Sequence, residues 1–185
     1  MGKVKFNIKN VHYAVLTETE GAISYATPKP IPGAVKMTVS PEGDDTEFFA
    51  DGIVYYASTS NTGYSGSLEV ADFGAEFKQD VWGYEKTSDG KLIEYADKEP
   101  KHVALLYEMD GSPEASRYLL YDVLIKRPTE DAETTTKTKE PKTSSAEYKA
   151  RPLSSHAVKA QCDESDNAFS EWFKSVSAPE RTPSV

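Results

Sequence analysis

Cysteine is almost missing from this 185-residue chain: Cys162 stands alone, so no disulfide can form within it. That excludes a small scaffold held by cross-links and fits synthesis in a reducing cytosol. A catalytic thiolate needs a base and an electropositive setting. Gln161-Cys162-Asp163-Glu164-Ser165-Asp166 instead surrounds the sulfur with carboxylates that raise its pKa. Long apolar runs are also missing. Residues 53–57, 103–107 and 118–121 are far too short to span a bilayer. Met1-Gly2-Lys3-Val4-Lys5 leads into alternating strand residues rather than the apolar core of a signal peptide, and Phe6 stands where a myristoylation motif wants Ser or Thr. No membrane contact is expected.

Motifs for chemistry are equally sparse. His12, His102 and His156 are far apart, with no HExxH, no paired cysteines and no EF-hand pattern. Asp44-Asp45 in a glycine-bearing turn could hold a cation, but adjacent loop carboxylates are usually solvated. Gly63-Tyr64-Ser65-Gly66 is one residue short of a nucleophile elbow and sits among β-turn residues. No phosphate loop occurs. The expectation is a protein without catalytic residues, metal or cofactor.

What is present is β-forming. The chain is 38% apolar with 11 tyrosines, and its length suits one core. A net charge of −9 disfavours binding to nucleic acid. That charge is uneven: residues 1–125 hold 20 acids against 11 bases, and 126–160 hold 5 against 8. Ordinary solubility accounts for this, and so does an acidic face kept apart from a basic one.

Alternation at Val4/Phe6/Ile8, Val11/Tyr13/Val15 and Val35/Met37/Val39 predicts half-buried strands, separated by the proline-rich connector 28–33. Residues 46–60 predict a hairpin around Asp51-Gly52. Its Phe48, Phe49, Ile53, Tyr55 and Tyr56 exceed what one core face absorbs, so one face is expected to wait for a neighbour. Residues 63–71 predict a strand, then Asp72 caps a helix with Phe73, Phe77 and Val81 on one stripe and Gly83 as its stop. Val103/Leu105/Tyr107/Met109 and Leu119/Tyr121/Val123/Ile125 predict two alternating faces of a central antiparallel pair. Residues 128–152 read either as a polar linker or as two polar strands, 133–140 and 142–150, turned at Pro141. Phe169, Trp172, Phe173 and Val176 lie at helical spacing behind acidic residues and predict a docked C-terminal helix ended by Pro179. One domain is expected over 1–178, with 179–185 a loose tail.

Residues 48–82, read with KVKFNIKNVHY (3–13), IPGAV (31–35), Pro41-Glu42-Gly43-Asp44 and WFKSV (172–176), resemble the major tail protein family of siphophages. Members of the kind in question come from temperate phages of Gram-positive bacteria. The resemblance implies a mainly β fold, an antiparallel β-sandwich or partial barrel with one flanking helix and a short C-terminal helix. It implies six copies joined into a ring, and rings stacked into the virion's tail tube after synthesis in the host cytoplasm. Implied partners are further copies of the chain, the tape measure, tail terminator and distal tail proteins. Viral DNA would pass through without specific binding. Residues 41–63 would be the loop that reaches a neighbouring ring, and Phe48, Phe49, Ile53, Tyr55, Tyr56 and Tyr64 are the candidate subunit-interface residues. The lysine- and threonine-rich stretch 134–142 departs from the family pattern. Two rival readings are another β-sandwich virion component (tail terminator, connector or fibre module) and a soluble binding module.

Overall fold

A computed structural model describes residues 4–130, 134 and 141–179. In chain order the elements are β1 (Val4–Thr19), β2 (Ala22–Tyr25), β3 (Lys29–Pro30), β4 (Ala34–Met37), β5 (Ser40–Glu42), β6 (Asp45–Ala50) and β7 (Ile53–Thr59). There follow β8 (Gly63–Val70), α1 (Ala75–Trp82), β9 (Glu85–Lys86), β10 (Leu92–Ile93), β11 (His102–Ser112), β12 (Ser116–Ile125), β13 (Ser144–Ala150) and β14 (Lys159–Asp163). The protein is mainly β. Ten strands form one antiparallel sheet with the path β2-β1-β11-β12-β13-β8-β4, to which β3, β5 and β14 attach. The sheet curls until β4 lies against β1, yet the two are not hydrogen-bonded, so the result is a partial barrel with an open seam.

The centre is the β11–β12 pair, buried on both faces. One correction lies here. Leu105 pairs with Leu120 but Val103 with Val123, so β12 carries one extra residue at Tyr121–Asp122. A bulge reverses side-chain parity. Leu119 and Tyr121 therefore face one core, while Val123 and Ile125 join Tyr118 and Leu120 in the other. The four residues expected on one face are split between two.

The larger core lies inside the curl and is filled by α1. Phe77 packs on Tyr13, Phe73 and Trp82 with ring centroids 4.9 to 5.0 Å apart. Phe77 and Val81 are buried on the helix, as their spacing required, and Phe73, expected on the same stripe, is buried from the loop that precedes it. The helix nevertheless starts later than expected, with Gly74 rather than Asp72 at its N-cap. Gly83 closes it in the left-handed conformation (φ 69°). Trp82 lies off the expected stripe but is fully buried, and its indole N–H donates to the Ile125 carbonyl at 3.0 Å.

The other face of the central strands carries Ala14, Ala104, Leu106, Leu119 and Tyr121, covered by Trp172, Phe173 and Val176. The expected C-terminal helix is only a single 3-10 turn, Phe169–Glu171, followed by turns, although its apolar side chains do dock. Of the two readings of residues 128–152, the strand at 142–150 is present, as β13. β13 is no isolated polar strand: it inserts between β8 and β12, with Ala146, Tyr148 and Ala150 buried. Its neighbours supply the ladder partners that a free pair would lack. The strand expected at 133–140 and the tail 180–185 lie outside the described residues, save Thr134, which is not in a strand.

Candidate self-association surface

Among the described residues, β6 and β7 pair only with each other, as a hairpin apart from the main sheet. Their turn is Asp51-Gly52, with φ 54° and 77° at the two positions. This is the left-handed geometry that matches a hairpin's twist and that glycine adopts without strain. Phe48 opposes Tyr56 but Phe49 opposes Val54, leaving Tyr55 as a bulge. Tyr55 is accordingly the most exposed of the large apolar side chains, at 75%, while Phe48, Phe49, Ile53, Val54 and Tyr56 range from 46% to 64%. The core of the body is complete without any of them.

The hairpin is also acidic. Asp44, Asp45, Glu47 and Asp51 are exposed, and residues 41–62 contain no lysine or arginine. The chain enters and leaves it on fixed stems. β5 pairs with β8, Ser60 N–H donates to the Asp44 carbonyl at 3.1 Å, and Thr62 N–H donates to the Glu42 carbonyl at 2.8 Å. The barrel body thus presents a two-stranded, apolar and anionic arm.

Of the candidate interface residues, the structure brings Phe48, Phe49, Ile53, Tyr55 and Tyr56 together on this arm. Val54 belongs with them and was missed, because strict alternation hides a side chain beside a bulge. Tyr64 stands apart: it is half-buried in β8 against the larger core, with the Lys159 ammonium 5.4 Å from its ring centre.

The residues singled out for chemistry do not converge. Cys162 is buried in β14 and its thiol pKa is raised, chiefly by burial, with Asp163 and Asp166 adding less. His12 stacks on Phe173 at 4.5 Å. His102 Nδ1 lies 2.5 Å from Asp122 Oδ1, a buried carboxylate that also accepts from Arg151 Nε at 2.6 Å. This cluster sits at the β12 bulge and ties β11 to the segment after β13. Among the described residues no group of three or more His, Cys, Asp or Glu could hold a metal ion. No described helix is long and apolar enough to cross a membrane. No protein-family model and no curated protein matches the chain.

Proposed function

We propose that this chain is a structural subunit of a phage tail tube. Copies close into rings of six, and the rings stack into a hollow conduit through which viral DNA leaves the virion. The observation that carries this reading is the exposed hairpin β6–β7. Six large apolar side chains stand in water on an arm that the body does not need for its own core.

An exposed apolar group of that kind marks an interaction surface. Covering it would supply on the order of 5–10 kcal/mol before the entropic cost of association, of comparable size, is set against it. That balance suits subunits that stay soluble alone and assemble by concentration. Among the described residues, the open barrel seam and the outer edge of β2 add strand edges without partners, which a monomer carries at a risk of aggregation and a ring conceals. An arm on one side of a body that docks to a different surface of the next copy makes a repeating contact. Repetition with translation yields a tube. The resemblance of residues 3–13, 31–35, 48–82 and 172–176 to siphophage major tail proteins points the same way. Tape measure, terminator and distal tail proteins would be its other partners.

Negative-stain microscopy of the purified protein over rising concentration is the test. Hollow tubes support the reading. Assembly that stops at one ring favours a tail terminator, and a protein that stays monomeric favours a binding module; either outcome overturns it.

A further inference from the structure

The barrel seam between β1 and β4 opens into a groove of about 400 Å³. Phe6 and Ile8 line it from β1, and Val35, Met37 and Val39 from the β4 side; Tyr107, Met109 and Tyr118 complete the apolar lining. Phe6 and Val35 are more than half exposed. Among the described residues, the charged ones of the lining are Lys5, Lys36 and Lys159, without an acid. No described carboxylate ion-pairs with any of the three, and the Lys5 and Lys159 ammonium groups lie 4.7 and 5.1 Å from the centre of the Tyr118 ring. Burial lowers the Lys159 pKa, and the neighbouring Lys5 ammonium lowers it further.

Both walls also end in strand edges without partners. Among the described residues, the stretch 4–9 pairs only with β11, and β4 pairs only with β8. A cationic, apolar groove flanked by free edges is complementary to an anionic, apolar hairpin. β-Strand addition with alternate side chains in pockets is a recurrent way to join two such surfaces.

We propose that this groove is the acceptor for the β6–β7 hairpin of a second copy of the chain. The arm's Phe48, Phe49, Tyr55 and Tyr56 cover the apolar walls, and Asp45, Glu47 and Asp51 meet Lys5, Lys36 and Lys159. The contact is head-to-tail, because arm and groove are different surfaces of one chain, and it leaves a joined pair with one free arm and one free groove. The inference deepens the self-association reading and rests on it.

The test uses full-length protein in which the buried Cys162 is replaced by alanine. One preparation carries Val35→Cys and another Tyr55→Cys; both sites are exposed, so folding should be unaffected. Mixed under mild oxidation, they should give a disulfide-linked heterodimer in at least tenfold excess over either homodimer. In parallel, Lys5→Glu with Lys36→Glu should weaken self-association at least tenfold. Mixing that variant with Asp45→Lys/Glu47→Lys should restore assembly, with the two chains in one-to-one ratio. Predominant Tyr55–Tyr55 cross-links, or unchanged assembly of the Lys5→Glu/Lys36→Glu variant, overturn the proposal. Tubes seen without the heterodimer overturn it while leaving the tail-tube reading intact. The heterodimer formed by chains that never build tubes supports the groove and removes the tube. Absence of any self-association removes both.

Discussion

Arg117 and Glu108 face each other across β12 and β11, with the guanidinium Nε donating to the carboxylate at 2.7 Å. Glu108 is buried and also receives Lys9 Nζ at 3.2 Å and Asn10 Nδ2 at 3.3 Å. The same guanidinium lies 3.6 Å from the ring centre of Phe169 and 4.6 Å from that of Phe173, and it donates to the Phe169 carbonyl. One charged pair thus holds the C-terminal segment against the sheet. Arg117→Met removes that hold and leaves a buried carboxylate short of its partner, a change worth about 3–5 kcal/mol. Urea unfolding should show the loss. The fluorescence of Trp172, whose indole N–H donates to the Tyr118 carbonyl at 3.3 Å, should shift to longer wavelength. An unshifted spectrum would mean that the segment docks without the pair.

Glu108 also gives a pH dependence. Burial pushes its pKa up, but hydrogen bonds from Arg117, Asn10 and Lys9 outweigh that and leave it below the ordinary value of 4.5. A carboxylate depressed in the folded state stabilises the fold at pH above its unfolded value. That contribution is lost as pH falls through the folded value. Denaturation midpoints measured from pH 6 downward should therefore drop for the natural chain. Glu108→Gln, already destabilised at pH 6, should drop less below pH 4.5. Parallel curves would show that other groups govern the acid limb.

How far the sequence spoke depends on whether a signal was local. The Asp51-Gly52 turn, the Phe77/Val81 part of the helical stripe and the Gly83 stop are local, and the structure has all three, with Phe73 buried just ahead of the helix. The parity switch at Tyr121–Asp122 was illegible, because a bulge leaves an apolar run looking apolar on both sides. β13 reads as polar in sequence because its buried positions are Ala146, Tyr148 and Ala150; two alanines carry little hydrophobic signal until large neighbours surround them. Helical spacing at 169–176 marked Trp172, Phe173 and Val176, which do dock, yet the segment forms only one 3-10 turn, Phe169–Glu171. The arm's surplus of aromatics was visible in sequence. The groove was not, because Lys5, Lys36 and Lys159 are brought together only by the curl of the sheet.

The arm itself yields a prediction about the isolated protein. Tyr55→Ala with Tyr56→Ala removes only exposed rings, so stability should change by less than about 1 kcal/mol. Self-association should be lost. In the monomer, amides of residues 53–56 should exchange far faster than those of β11 and β12, since two strands alone are marginal in water. Hydrogen exchange by mass spectrometry on a dilute sample checks this; full protection of 53–56 in a proven monomer would show that the arm needs no neighbour.

The last prediction concerns charge in an assembled tube. The excess of acid in residues 1–125 and of base in 126–160 does not make two separate faces. Arg127 pairs with Glu94 at 2.6 Å, Arg151 with Asp122 at 2.6 Å and Lys149 with Glu42 at 3.8 Å, each joining a base of the second stretch to an acid of the first. Those bases are offset locally. A tube that carries DNA must not bind it, because a cationic wall would release condensed counterions and hold phosphates with steep salt dependence. With Arg127, Lys149 and Arg151 engaged and the chain at −9, the lumen wall should be net negative. Bases of 126–160 should lie on the outer wall or at a subunit seam. A reconstruction of the tube at side-chain resolution checks both statements. A lumen lined by net positive charge, or by residues 126–160, refutes the electrostatic account even where the tube is confirmed.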